Sequence, residues 1–251
     1  MKKRIITLFI VIVLFLSCTA CSSTGKYFIR SPYNEGSTQL YGAFDTIEAA
    51  KICLEEVKQL GYVVFDSKGQ VAYHPFDTLA QSRILWQAKA VADYARTTGY
   101  TYGNATVNPP YDLGRTQKLV SCDRFVAWAI FYSGYTKEHY EESRLSLYGE
   151  KNLENYLIAN NFTRIDNVEE VQGGDVIFVG DSHEHYPNLK GFWMEYPDHV
   201  FICAGEVDFG SFYRYDAGST RRITSVQPSK EPLEYPGKEF RFAYRAPAEL
   251  P

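Results

Sequence analysis

Apolar positions recur at helical spacing in the first half of the chain and crowd into short runs in the second. Ile47, Ala50, Leu54 and Val57 share one stripe. They predict a helix over Ile47 to Leu60, capped by Asp45 or Thr46 and ended by Gly61. A second stripe of Leu79, Ile84, Ala88, Val91 and Ala95 predicts a longer helix from Asp77 to about Thr97. A third helix begins after Ser121, a good N-cap, and stops at Gly134; its Phe125, Val126, Ala129 and Ile130 share a face. Shorter helical stretches follow near Tyr140–Arg144 and Leu153–Asn160. Strand texture marks Leu40–Phe44, Tyr62–Phe65, Val71–Tyr73, Asp175–Val179, His199–Ala204, Phe212–Asp216 and Phe240–Arg245.

Asp66-Ser67-Lys68-Gly69 reads as a hairpin turn between two of these strands. Residues 38–76 therefore form a small βαββ module, and 77–251 a larger domain with helices first and strands after. That order predicts the α+β class with an antiparallel sheet. Residues 21–37, with Pro, Asn, Gly and Ser among aromatics, are read as a tether and linker. The segment GYVVFDSKGQVAY resembles a small module that accompanies many cell-wall hydrolases of Gram-positive bacteria.

The amino end changes the picture of where the protein works. Lys2, Lys3 and Arg4 precede an apolar run from Ile5 to Leu16, then small residues with Cys18 and Cys21. This is the layout of a secretory signal peptide over residues 1–20, short for a membrane span. It looks like a bacterial lipoprotein signal, with Cys21 as the lipidation site, although Leu is missing from the usual third position upstream; Cys18 and a plain cleaved signal are the alternatives. The expected location is the outer face of the cell membrane, held there by the lipid. Cleavage before Cys21 removes three cations and no anions and takes the formal charge from −4 to −7. Such an acidic chain has no general pull towards nucleic acid.

Three cysteines remain beyond the anchor, an odd number that leaves at least one thiol free. Cys53 falls on the module's helix. Cys203 alternates with Phe201 in an apolar strand and reads as a buried hydrophobe. Cys122 falls on the first turn of its helix, where free N–H groups and the helix dipole favour a thiolate. Of five histidines, His74 and His139 read as solvated. His183 and His185 flank Glu184 in a polar segment that reads as a loop rather than a metal site. His199 opens a strongly β strand, on the face of Phe201 and Cys203, which is expected to pack on the helix.

SCDRFVAW, GGDVIFV, HVFICAGE and YRYDAGS, in that order, resemble the NlpC/P60 superfamily and its relatives the CHAP amidases, papain-like peptidoglycan hydrolases. The resemblance runs over about residues 79 to 251 and implies a papain-like fold of N-terminal helices on an antiparallel sheet. It implies Cys122 as nucleophile, His199 as base and Asp216 as the group that orients the imidazole, without metal or cofactor. It places Tyr102, in a loosely matching Gly99–Gly103 stretch, beside the substrate near the oxyanion, and gives Asp175 a structural part through hydrogen bonds to a turn.

The flanks of Cys122 depart from the family pattern. Ser121 stands where Asp is common, and Asp123-Arg124 where Ser-Gly is common. In the family these flanks read the stem peptide, so Asp123 and Arg124 are candidate substrate-binding residues with a changed specificity. An anion at Asp123 also opposes ionisation of the neighbouring thiol unless Arg124 or His199 offsets it. Tyr186, Phe192, Trp193, Met194 and Tyr196, between Val179 and His199, are candidates for a cleft wall. The expected partners are peptidoglycan peptides and, through the lipid, the membrane. Two other readings stand: an inactive papain-like lipoprotein that binds wall fragments, and a secreted hydrolase for other amides.

Overall fold

The computed structural model describes residues 26–33, 40–103, 119–136, 140, 149–181, 197–208, 211–220, 223–232 and 238–250. The signal region with Cys18 and Cys21 lies outside them. So do His139, His183, Glu184, His185 and the aromatic residues expected to form a cleft wall. Among the described residues no helix is long and apolar enough to cross a membrane. The chain divides into two units, Met1–Lys58 with Tyr62–Pro75, and Gln59–Gly61 with Phe76–Pro251.

The first unit is a four-stranded antiparallel sheet with one helix against it. Strands β1 (Tyr27–Arg30), β2 (Leu40–Phe44), β3 (Val63–Asp66) and β4 (Val71–Tyr73) lie in the order β2-β1-β3-β4. Strand β1 corrects the expected linker: Tyr27–Arg30 is paired on both edges, Phe28 opposite Ala43 and Phe65. Its Ile29 is fully buried. The unit is thus ββαββ, and the aromatic residues of the supposed tether are there to fill a sheet. Helix α1 (Ile47–Glu55) is capped by Thr46, whose hydroxyl accepts from Ala49 N at 3.2 Å, and buries Ala50, Cys53 and Leu54. It ends five residues before the predicted limit, because Lys58–Leu60 tightens into a 3-10 turn before Gly61 at φ 77°. Asp66 Oδ1 closes the β3–β4 turn by accepting from Lys68 N and Gln70 N, both at 2.9 Å, with Gly69 at φ 78°.

The second unit packs helices on an antiparallel sheet, so the chain is α+β. Helix α2 (Leu79–Thr98) starts with a reciprocal cap between Thr78 and Gln81 and ends at Gly99, φ 82°. Helix α3 (Cys122–Ser133) packs on α2 and ends at Gly134, φ 86°; helix α4 (Gly149–Ala159) follows. Before α3, two-residue strands β5 (Thr101–Tyr102) and β6 (Leu119–Val120) pair in parallel. Strands β7 (Thr163–Ile165), β8 (Val176–Asp181), β9 (His199–Asp208), β10 (Ser211–Thr220), β11 (Ile223–Pro232) and β12 (Lys238–Arg245) make one sheet, ordered β11-β10-β9-β8-β12-β7. The β11 segment carries two prolines and charged residues and gives no strand signal. It forms all the same because it lies at the sheet edge, where a missing N–H costs no ladder bond on the open side.

Among the described residues, the central strands of the sheet are buried on both faces. Val176, Phe178, Val200, Ile202, Ala204, Tyr215, Ala217 and Tyr244 join the helix residues Ile84, Ala88, Phe125, Val126, Ala129 and Ile130 in the main core. Ile165, Val171, Ile177, Val179, Phe201, Cys203 and Ala243 form a second cluster. This overturns the expected orientation of β9: the residues facing α3 are Val200, Ile202 and Ala204, not Phe201 and Cys203. Alternation in a strand apolar on both sides discloses two faces, but not which of them meets the helices.

One polar cluster ties the helices to the sheet. Asp175, wholly buried, accepts from Arg245 Nε at 3.0 Å and Nη2 at 2.8 Å, from Gln81 Nε2 at 3.3 Å and from Gln172 N at 2.8 Å. Arg245 continues to Asp77 at 2.8 Å and to the Glu170 carbonyl at 2.7 Å. Gly174, at φ 89°, has room for no side chain: a Cβ there would lie 2.5 Å from Gln81 Cα.

Candidate active site

Cys122 is the first residue of α3. Ser121 before it holds extended backbone, φ −88° and ψ 168°, and its carbonyl takes the first helical bond, from Phe125 N at 3.0 Å. The Ser121 hydroxyl does not cap the helix backbone; it donates to Asp123 Oδ1. Asp123 Oδ2 accepts from the buried Tyr140 hydroxyl at 3.1 Å. Both oxygens of Asp123 are thereby engaged inside the protein. Asp123 and Arg124 are 3% and 4% exposed, so both candidate substrate-binding side chains are set into the base of α3.

The sulfur lies against the start of β9. The Val200 backbone N–H donates to Cys122, and the Cys122 thiol donates to Glu150 Oε1 at 3.3 Å. Burial pushes the thiol well up from its ordinary value, and the charges of Glu150 and then Asp123 push the same way, against the Val200 hydrogen bond. The expectation that the helix start favours a thiolate is corrected here. Dipole and free N–H groups are outweighed by desolvation at 3% exposure and by two carboxylates close by.

His199 is the first residue of β9. Its Nε2 is 3.1 Å from Asp216 Oδ2, with side chains 15% and 6% exposed. Arg214 Nε lies 3.3 Å from the same oxygen, and its guanidinium stands over the Phe201 ring at 5.3 Å. Arg214 is opposite Cys203 across the strand pair, and alternation along β10 puts Asp216 on that same face. Gly218 leaves the pair room: a Cβ there would sit 3.2 Å from Asp216 Oδ2 and 3.7 Å from His199 Cε1. The His199 and Phe201 rings stand 5.9 Å apart. Being the strand's first residue, His199 adjoins Cys122, whose sulfur takes the N–H of the next residue.

Tyr102 arrives from the β5–β6 pair, opposite Val120 and so close to the start of α3. Its phenol is pushed far up, first by negative charge on Cys122, then by burial, Glu150, Asp123 and Asp198. It stays a neutral hydroxyl donor beside the sulfur. The structure thus gathers Cys122, Tyr102, Asp123, Asp198 and His199 at one end of β9, with Asp216 behind the imidazole. Glu150, from the first turn of α4, joins them and was not foreseen. Nothing in Gly149-Glu150-Lys151 separates it from an ordinary acidic residue at a helix start.

His74 belongs to the first unit. Among the described residues no group of three or more His, Cys, Asp or Glu is placed to hold a metal ion. Cys53, Cys122 and Cys203 are buried, and none of them forms a disulfide among the described residues. No family model, curated protein or solved structure matches the chain.

Proposed function

We propose that the protein is a papain-like cysteine hydrolase of the NlpC/P60 kind, lipid-anchored outside the cell membrane through Cys21, that cuts an amide bond in peptidoglycan peptides. The observation that carries this reading is the His199–Asp216 pair at the mouth of β9, one residue from the N–H that holds the Cys122 sulfur. The ordered motifs in the sequence supply the substrate class.

In this reading His199 keeps Nε2 on Asp216 and turns Nδ1 to the thiol. Cys122 loses its proton to Nδ1 and attacks the amide carbonyl, and Asp216 stabilises the imidazolium that forms. The Cys122 backbone N–H and the Tyr102 hydroxyl are the candidate donors to the tetrahedral oxyanion. The imidazolium then protonates the leaving amine, giving a thioester that water, activated by His199, hydrolyses. Engagement of Asp123 by Ser121 and Tyr140 keeps a second anion fixed near the sulfur.

The burial of Cys122, 3% exposed beside Glu150, favours a second reading, a protein that holds wall fragments without cutting them. Incubation of the purified protein with isolated cell walls, read as new amine termini, separates the two. Release that disappears in Cys122→Ala supports hydrolysis. Absence of release together with retention of soluble wall fragments supports binding alone.

A further inference from the structure

Glu150 contributes the only carboxylate that a hydrogen bond joins to the Cys122 sulfur among the described residues. A thiol has one proton to donate. While it is directed at Glu150 Oε1, 3.3 Å away, it is not directed at His199. The groups facing this proton are Glu150 from α4, Asp123 from α3, Tyr102 from β5, and Asp198, His199 and the Val200 N–H from β9. Of these, Glu150 and Asp123 are carboxylates that oppose a negative sulfur, Asp198 is a third carboxylate beside Tyr102, one is an imidazole and two are neutral donors. Glu150 also senses the imidazole, whose positive form favours its ionised state.

We propose that Glu150 is a latch on the nucleophile: by accepting the Cys122 hydrogen bond it holds the sulfur as a neutral thiol in the resting site. Transfer of the proton to His199 then begins with the S–H turning away from Glu150. This takes the nucleophile from the reading above and adds a residue that the motif pattern does not contain. In an oxidising compartment the latch has a physical advantage, because the thiolate and not the thiol is the species that oxidants and alkylating agents attack.

The test is alkylation of Cys122 by iodoacetamide across pH 6 to 11, with the modified residue located by peptide mass so that Cys53 and Cys203 are counted separately. The wild-type midpoint should lie above the ordinary free thiol, about 8.5. Glu150→Gln keeps the shape and a hydrogen-bond acceptor but removes the charge. It should move the midpoint down by about one unit or more, making Cys122 about tenfold more reactive on the neutral side of the curve. Superimposable wild-type and Glu150→Gln curves would overturn the latch. So would a wild-type midpoint at or below the ordinary value, a measurement that needs no variant to fold. Both readouts are independent of hydrolysis: a protein inactive on cell walls whose Cys122 midpoint falls in Glu150→Gln loses the proposed activity and keeps the latch.

Discussion

Asp216 Oδ2 meets two partners at once, His199 Nε2 at 3.1 Å and the Arg214 guanidinium through Nε at 3.3 Å. One buried oxygen thus fixes the imidazole while being fixed itself by a guanidinium stacked on Phe201. Replacing Asp216 by Asn puts a neutral amide there, which no longer stabilises an imidazolium and can present a donor to Nε2. If His199 is the base, kcat/KM for wall hydrolysis should fall roughly 10²- to 10⁴-fold in Asp216→Asn. The thermal midpoint should move little. A loss below about tenfold would remove Asp216 from the mechanism.

Cys122→Ala should lower amine release from cell walls by about 10³-fold or more, since a nucleophile has no substitute in a covalent route. The far-ultraviolet spectrum and thermal midpoint report the fold, because Cys122 also fills a place in the main core. Activity retained in a folded Cys122→Ala protein would end the cysteine mechanism.

The two helices α2 and α3 were legible because one carries a long apolar stripe and the other its own boundary signals. Ser121 and Gly134 mark the start and stop of α3, and the stripe from Leu79 to Ala95 predicts α2 over Asp77 to about Thr97, within two residues of its observed ends. The strands β8, β9 and β12 announce themselves by apolar runs, but those same runs conceal which face meets the helices, and Phe201 and Cys203 turned out opposite to expectation. Strand β11 was illegible because its prolines are excluded from sheets only where both edges are paired. Pairing that gave β1 a place in the first sheet is likewise long-range, and its aromatics looked like linker. In the site, Cys122, His199 and Asp216 stood in a recognisable order, whereas Glu150 reaches the sulfur across 28 residues by tertiary packing alone.

The ionisation of Glu150 should also be visible in stability. Burial is the largest influence and raises its pKa, so the folded chain holds this proton more tightly than the unfolded chain does. The sign follows: the contribution is fully present below the ordinary glutamate value, about 4.3, and is lost as pH rises through the raised folded value. Glu150→Gln, which cannot ionise, should therefore be more stable than wild type at pH 7, with the two converging towards pH 4. Denaturant midpoints at both pH values check this. A variant less stable than wild type at pH 7 would show that the Cys122 hydrogen bond outweighs the buried charge.

Gly174 precedes Asp175 at φ 89°, and a Cβ there would meet Gln81 Cα at 2.5 Å and the Gln81 carbonyl at 2.6 Å. Both obstacles are tied to α2, so neither yields as a free side chain would. Gly174→Ala should cost about 3 kcal/mol from backbone strain and overpacking together, a fall of about 6–12 °C in thermal midpoint. A fall under about 2 °C would mean that the turn and α2 part easily.

Asp175 is wholly buried, and Arg245, whose side chain is 20% exposed, gives it two of its four hydrogen bonds. Arg245→Met removes the countercharge and strands the carboxylate among Gln81 and the Gln172 N–H, which are neutral. The expected cost is about 3–5 kcal/mol, the range for one-sided loss of a buried ion pair. Asp175→Leu in the same chain removes the stranded charge, so the double variant should be less damaged than the two single costs added together. A double-mutant cycle in denaturant measures that coupling. Strict additivity would show that Arg245 acts mainly through Asp77 and the Glu170 carbonyl, and that the buried carboxylate is held by its neutral partners.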